Sequence, residues 1–388
     1  MSPAPKGRSP LQTRAAQVRA PSGMAPTSPE VLPVLEPLAQ ASARQDLPEL
    51  ADHLRSLQAW LADDLQALET GLQALLPVAA ATPAIAGGLP GARVRGAAAH
   101  LLALPGKRIR PLCVLLAARL GDRALDADLR RLAIACELVH TATLLHDDVI
   151  DGGEMRRGAP TARLIYGNAA SILAGDFLLN EALRLVMAVP PPALLGSLLT
   201  VTRQMVAAEA LQLERRGRFI PDRAVYLEVI RGKTAALFAW GLWAGGTLAA
   251  LAPAALTALT LVGEALGMAF QLVDDVLDVD GDPAVTGKAL LVDLREGKLT
   301  WPMIIAAERD PQLAAELRAL AGAAEPNLSD ARAAALLAAI RATGAIESTR
   351  AYAAEQAQVA ERHIATLPPS PARAALGWVV AVASQRAH

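Results

Sequence analysis

The chain has 388 residues, 53% hydrophobic but only 3% aromatic. Alanine and leucine must therefore build a large core, and the aromatic and β-branched residues that favour strands are scarce. A formal net charge of −1 excludes a global basic field for nucleic acid and a polybasic membrane anchor. Cys113 and Cys136 both lie in apolar helical runs. They read as small buried hydrophobes of a reducing, cytoplasmic compartment and exclude a disulfide framework.

Residues 1–45 are rich in Pro, Ser, Ala and Arg, with no acid before Glu30. That composition predicts a disordered N-terminal extension. A transit peptide, or a start displaced from Met24, fits it equally well. From Asp46 onward a single helical domain, 46–388, is expected. Leu50, Leu54, Leu57, Leu61, Leu65, Leu68 and Leu72 recur at three- and four-residue steps and predict one amphipathic helix. A Pro/Gly/Ala-rich connector at 77–91 leads to a second helix ending near Leu104. Later breaks fall at Pro105-Gly106, Gly121-Asp122, Gly152-Gly153, Pro190 to Pro192, Pro221-Asp222, Pro253 and Asp282-Pro283. Nothing reads as a strand ladder. Thr234 to Gly263 carries no charge, long enough to span a membrane. Its glycines and Pro253 predict instead two buried helices joined near Ala252-Pro253. The fold class is all-α, one large helical bundle with a central apolar cavity.

Two copies of Asp-Asp-x-x-Asp end apolar helical segments: Asp147, Asp148 and Asp151, then Asp274, Asp275 and Asp278. Residues i and i+4 share a helix face, which groups Asp147 with Asp151 and Asp274 with Asp278. His140 and Gln271 belong to the same two faces. Carboxylates are disfavoured at the negative end of a helix and repel one another. Two such clusters call for cations, and all-oxygen donors suit Mg²⁺ completed by substrate phosphates.

Basic groups accompany the acids. Gly106-Lys107-Arg108-Ile109-Arg110-Pro111 opens a helix and offers three cations at its positive end. Arg156-Arg157, Lys233-Thr234, Lys288 and Lys298 follow at separate places. Arginine suits bidentate phosphate contact and lysine suits point-charge neutralisation. There is no Walker-type loop, Ser/His/Asp arrangement or zinc spacing. The set suits two polyphosphates held at once above an apolar cavity.

These residues carry a resemblance. ELVHTATLLHDDVIDGGEMRRGAPTARLIYGNAASILAGDFLL at 137–179, GKRIRP at 106–111, RGKTA at 231–235, FQLVDDVLD at 270–278 and GAIESTR at 344–350 resemble the trans-isoprenyl diphosphate synthases. This is the polyprenyl synthetase family, and the likeness is to its long-chain octaprenyl and decaprenyl members. It implies the isoprenoid synthase fold, a homodimer, a product for quinone side chains, and isopentenyl and allylic prenyl diphosphates as substrates. It implies that Lys107, Arg110, His140 and Arg157, with Arg108 beside them, bind isopentenyl diphosphate. Arg156, Lys233, Thr234, Gln271, Lys288 and Lys298 would contact the allylic diphosphate. Asp147, Asp151 and Asp274 would ligate Mg²⁺, three ions in all, with Asp148, Asp275 and Asp278 as outer partners and Lys233 among the catalytic groups. Trp301 stands where an aliphatic residue is usual.

Small residues at Ala142 and Thr143, with Val139 beyond, leave room for a tail growing along the first acidic helix. A long product is therefore expected, with a farnesyl- or geranylgeranyl-length product as the alternative. A terpene cyclase would carry a different second metal motif and lack GKRIRP. A non-catalytic subunit of a heteromeric synthase would lose the acidic motifs.

Overall fold

The computed structural model describes residues 34–75, 91–281, 290–321 and 328–385. Helix begins ten residues earlier than expected, with α1 (Glu36–Arg44). Its Leu38 and Ala39, with Leu35 just before, are buried, and it packs on α2 (Pro48–Trp60). Pro37 made this segment look irregular, yet it sits in the first turn, where its missing N–H costs nothing. The expected tail therefore gives way to helix at 36–44, and 1–33 lie outside the described residues.

The seven leucines are all buried, but they span two helices, α2 and α3 (Ala62–Ala74), broken at Leu61 with φ −103° and ψ 18°. The break leaves Leu57, Leu61 and Leu65 pointing at the same core, so the spacing alone could not reveal it. α4 (Ala92–Ala103), α5 (Ile109–Arg119) and α6 (Ala127–Ile150) follow. A two-residue hairpin pairs β1 (Met155–Arg156) with β2 (Ala159–Pro160), the only strands among the described residues. α7 (Ala162–Tyr166), α8 (Asn168–Met187), α9 (Ala193–Arg215) and α10 (Arg223–Ile230) come next.

The long uncharged stretch divides as expected. A π-helical turn (Arg231–Ala235) runs into α11 (Ala236–Leu248), and α12 (Pro253–Asp280) starts at Pro253. By length and composition α12 could cross a membrane, but it is a core helix packed along α11 and the helix at Ala345–Ala365. The remaining helices are α13 (Val292–Arg295), α14 (Trp301–Arg309), α15 (Pro311–Ala321), α16 (Asp330–Ala342), α17 (Ala345–Ala365) and α18 (Pro371–Gln385).

α6 lies along α8 and α5, and α11 packs on both acid-bearing helices, α6 and α12. Gly175 on α8 has the His146 ring of α6 where a Cβ would sit, so a side chain there would displace that ring. α12 joins two hydrophobic clusters, Leu259 to Leu266 in one and Met268 to Val279 in the other. The acidic ends of α6 and α12 are thereby fixed by core packing and not by each other.

Candidate active site

α6 is started by Asp126, whose side chain accepts from Leu129 N, and it ends at Asp151. Asp147 is pushed up to about 6 by burial, with Glu209 and Asp151 adding to the rise and Lys233 and Lys298 opposing it. Lys233 Nζ lies 3.7 Å from Asp147 and pairs with Glu209, and it donates to Gln212 Oε1 at 2.9 Å. Lys298 Nζ lies 2.6 Å from Asp151 and 2.8 Å from Glu296. Asp148 is buried, accepts from Arg156 Nε at 2.8 Å and pairs with Nη2 at 2.7 Å.

On α12, adjacent residues are about 100° apart, so the Asp-Asp pair cannot point one way. Asp274 is partly exposed, whereas Asp275 is buried. Asp275 accepts from Tyr226 Oη, from Trp301 N at 2.9 Å and from Gln271 Nε2 at 3.1 Å. Burial, then Asp293, pushes it up to about 7. Both its oxygens accept from protein donors, and in this way Asp275 ties α10, α12 and α14 together. Trp301 completes that tie, its ring 5.2 Å from those of Tyr226 and Tyr352. Asp278 accepts from Val292 N at 2.9 Å, and burial together with Asp293 holds it well above the carboxylate range.

The wide π-helical turn positions two neighbours differently, as such turns often do at functional sites. Lys233 reaches Asp147 on α6, while Thr234 Oγ1 donates to Gln271 Oε1 on α12 at 2.9 Å. The amide of Gln271 thus bridges Thr234 and Asp275.

A cationic pocket lies beside the acids. The Arg110 guanidinium sits 4.4 Å over Phe238 and 5.8 Å from Phe270. Its Nη1 donates to His140 Nε2 at 3.3 Å, and its buried Nε has no partner. Among the described residues no ion pair includes Arg110. Burial lowers its pKa. Burial, then Arg110 and Arg157, holds His140 well below its ordinary 6.5. Arginine can only donate, so the neutral imidazole accepts at Nε2 and carries its proton on Nδ1. Lys107 and Arg157 are exposed. Arg108 is not: it is ion-paired with Glu69 and Glu137 at 2.6 Å each and donates to Leu102 O. The expected substrate contact by Arg108 is therefore corrected, since the turn into α5 sends it inward.

Four residues were not foreseen: Glu209, Gln212, Arg216 and Glu296. Glu209 and Gln212 interrupt an apolar helical run three residues apart, a one-face signal that could have been read. Arg216 donates to Ile150 O at 2.7 Å, a contact without sequence signature. Lys288 lies outside the described residues. Thr143 shares the face of Asp147 and donates to His140 O at 2.8 Å, while Ala142 and Val139 are buried. A groove of about 770 Å³ between α9, the π-helical turn, α11 and α12 is lined by Val201, Leu211, Trp240 and Trp243, and by none of the acids above.

The donor set fits Mg²⁺. Asp148 Oδ2 and Asp278 Oδ2 are buried without hydrogen-bond partners, and burial, with Glu209 and Asp151 nearby, holds Asp147 at a raised pKa. No three such groups converge to cage an ion among the described residues. Mg²⁺ takes one or two carboxylates and fills its shell with water and phosphate oxygens.

The family model for polyprenyl synthetase matches residues 92–339. Octaprenyl diphosphate synthase of Escherichia coli is 37% identical over 282 residues, 72% of this chain and 86% of that protein. A Caulobacter crescentus polyprenyl synthase structure, complexed with calcium and isoprenyl diphosphate, aligns with a TM-score of 0.76 at 36% identity, covering 84% of this chain and 97% of that one. The decaprenyl diphosphate synthase of Rhodobacter capsulatus aligns with a TM-score of 0.76 at 34% identity, covering 87% and 99%. With an all-helical fold, two acid-ended core helices and a cation pocket between them and α5, the chain belongs to the polyprenyl synthetase family.

Proposed function

We propose that this protein is a Mg²⁺-dependent prenyltransferase that elongates an allylic diphosphate with successive isopentenyl diphosphates to an all-trans, long-chain product of octaprenyl to decaprenyl size, suited to quinone side chains. The observation that carries this reading is the pairing of an acid-lined mouth with a neighbouring pocket in which buried Arg110 keeps an unpartnered Nε and makes no ion pair among the described residues. One anion is served through metal, the other directly.

Asp147, Asp151 and Asp274 hold the metal, taken as three ions, which when bound neutralise charge on the departing diphosphate. Lys233, Lys298 and Arg156 add fixed positive charge on the same side, and Thr234 orients against Gln271. Lys107, Arg110 and Arg157 hold the diphosphate of isopentenyl diphosphate, and His140 donates from Nδ1. The apolar core around α6 and α11 keeps water from the allylic cation. The isopentenyl alkene, held alongside, attacks that cation, and the released diphosphate takes the proton lost afterwards.

Assembly as a cytoplasmic homodimer is part of the proposal. Leu199, Val206 and Leu213 recur every seven residues on one face of α9 and are at least half exposed, beside exposed Ile172 and Leu173 of α8. The test is a radiolabelled product assay with isopentenyl and farnesyl diphosphates. Dephosphorylated products of 40 to 50 carbons are expected in Mg²⁺. No elongation in its presence would reject the reading.

A further inference from the structure

We propose that Arg108, Glu69 and Glu137 form a positioning triad that sets the isopentenyl-side cation pocket without touching substrate. The proposal rests on the diphosphate reading of that pocket. Arg108 caps α5 with φ 45° and ψ 30°, a left-handed conformation in which long side chains are uncommon. Such residues persist where the surroundings over-determine them, and here the surroundings are three helices. Nε pairs with Glu69 of α3, Nη1 with Glu137 of α6, and Nη2 donates to Leu102 O at the end of α4.

The geometry ties the triad to the pocket. Lys107 and Arg110 flank the turn that Arg108 holds, and Glu137 lies three residues before His140 on α6. Arg157, also left-handed at φ 53°, donates from Nη1 to Leu104 O at 3.4 Å. A Cβ on Gly106 would fall 2.7 Å from Arg108 Nη1 and 3.0 Å from Arg157 Nη1, so both guanidinia pack over that glycine. Arg108 is held between two carboxylates and so is not available to a substrate, and the pocket's cations are Arg110, Lys107 and Arg157. Buried ion pairs add little net stability, although removing one partner is costly. The triad's contribution is therefore one of geometry.

The test compares Arg108→Lys and Glu137→Gln in the full chain, measuring the KM for isopentenyl diphosphate, the KM for farnesyl diphosphate, kcat and the thermal midpoint. A tenfold or larger rise in the isopentenyl KM is expected, with the allylic KM within twofold. In a Lys107→Ala background, Arg108→Lys should add less than threefold, because the two act through one contact. If either variant fails to fold, Glu69→Gln, at the more exposed carboxylate, carries the same comparison. Equal rises in both KM values, fully multiplicative effects with Lys107→Ala, or lost stability with both KM values unchanged would each overturn the triad. If Lys107→Ala raises the isopentenyl KM but the triad variants do not, only the positioning role falls. If Lys107→Ala leaves that KM unchanged, the diphosphate reading of the pocket falls and the triad with it.

Discussion

Lys298 Nζ lies 2.6 Å from Asp151 Oδ2, joining residues 147 positions apart across the mouth of the site. Burial would lower the pKa of this ammonium, but Glu296 and Asp151 override it and raise it. Lys298 therefore stays charged among the acids and neutralises them. Lys298→Met removes a charge-assisted contact, a loss of about 1.5–3 kcal/mol. The expected result is a kcat/KM for the allylic substrate lower by about one to two decades, with the isopentenyl KM unchanged. Steady-state kinetics with each substrate varied in turn would check this, and an effect confined to isopentenyl diphosphate would contradict it.

Metal binding should depend on pH through Asp147. Its carboxyl, pushed up to about 6, must lose its proton to serve as a ligand. Mg²⁺ affinity, measured by calorimetry in the presence of a diphosphate, should weaken as pH falls through about 6, with protons released on binding. Asp147→Asn and Asp274→Asn should each abolish turnover with helical content retained, because each removes a ligand and no core volume.

Asp275 should behave differently from its neighbour Asp274. Its folded pKa of about 7 exceeds the ordinary 3.8, so the native state takes up its proton before the unfolded state does. The contribution to stability is fully present below about 3.8 and is lost as pH rises through about 7. Asp275→Asn should flatten the stability profile of the metal-free protein over that window. Denaturant titrations at pH 5 and 8 would reveal it. Tyr226→Phe, which removes one donor to Asp275 Oδ2, should cost about 1 kcal/mol and leave Mg²⁺ affinity unchanged.

Product length tests the role given to α6. Thr143 shares the face of Asp147, and Ala142 and Val139 lie buried behind it. One isoprene unit is comparable to a helical turn of about 5.4 Å. Ala142→Phe or Thr143→Tyr should therefore shorten the product to 15 or 20 carbons while catalysis continues. Chromatography of dephosphorylated products decides it, and unchanged lengths would place the floor of the tail cavity on another helix.

The local pattern alone determined the helical class, the split of the uncharged stretch at Pro253, and the acid-bearing ends of α6 and α12. Each depends on composition or on the 3.6-residue period, which are properties of short segments. Tertiary structure decided which member of each tight cluster faces the site. Neighbouring residues diverge by about 100° on a helix, so only packing could send Asp275 towards Tyr226 and Trp301, and Arg108 towards Glu69 and Glu137. Glu209 and Arg216 entered the site through tertiary contacts too: α9 brings Glu209 to Lys233, and the residue that caps its end, Arg216, reaches Asp151. The break at Leu61 was hidden because leucine spacing records which side is buried and not whether the helix axis is continuous.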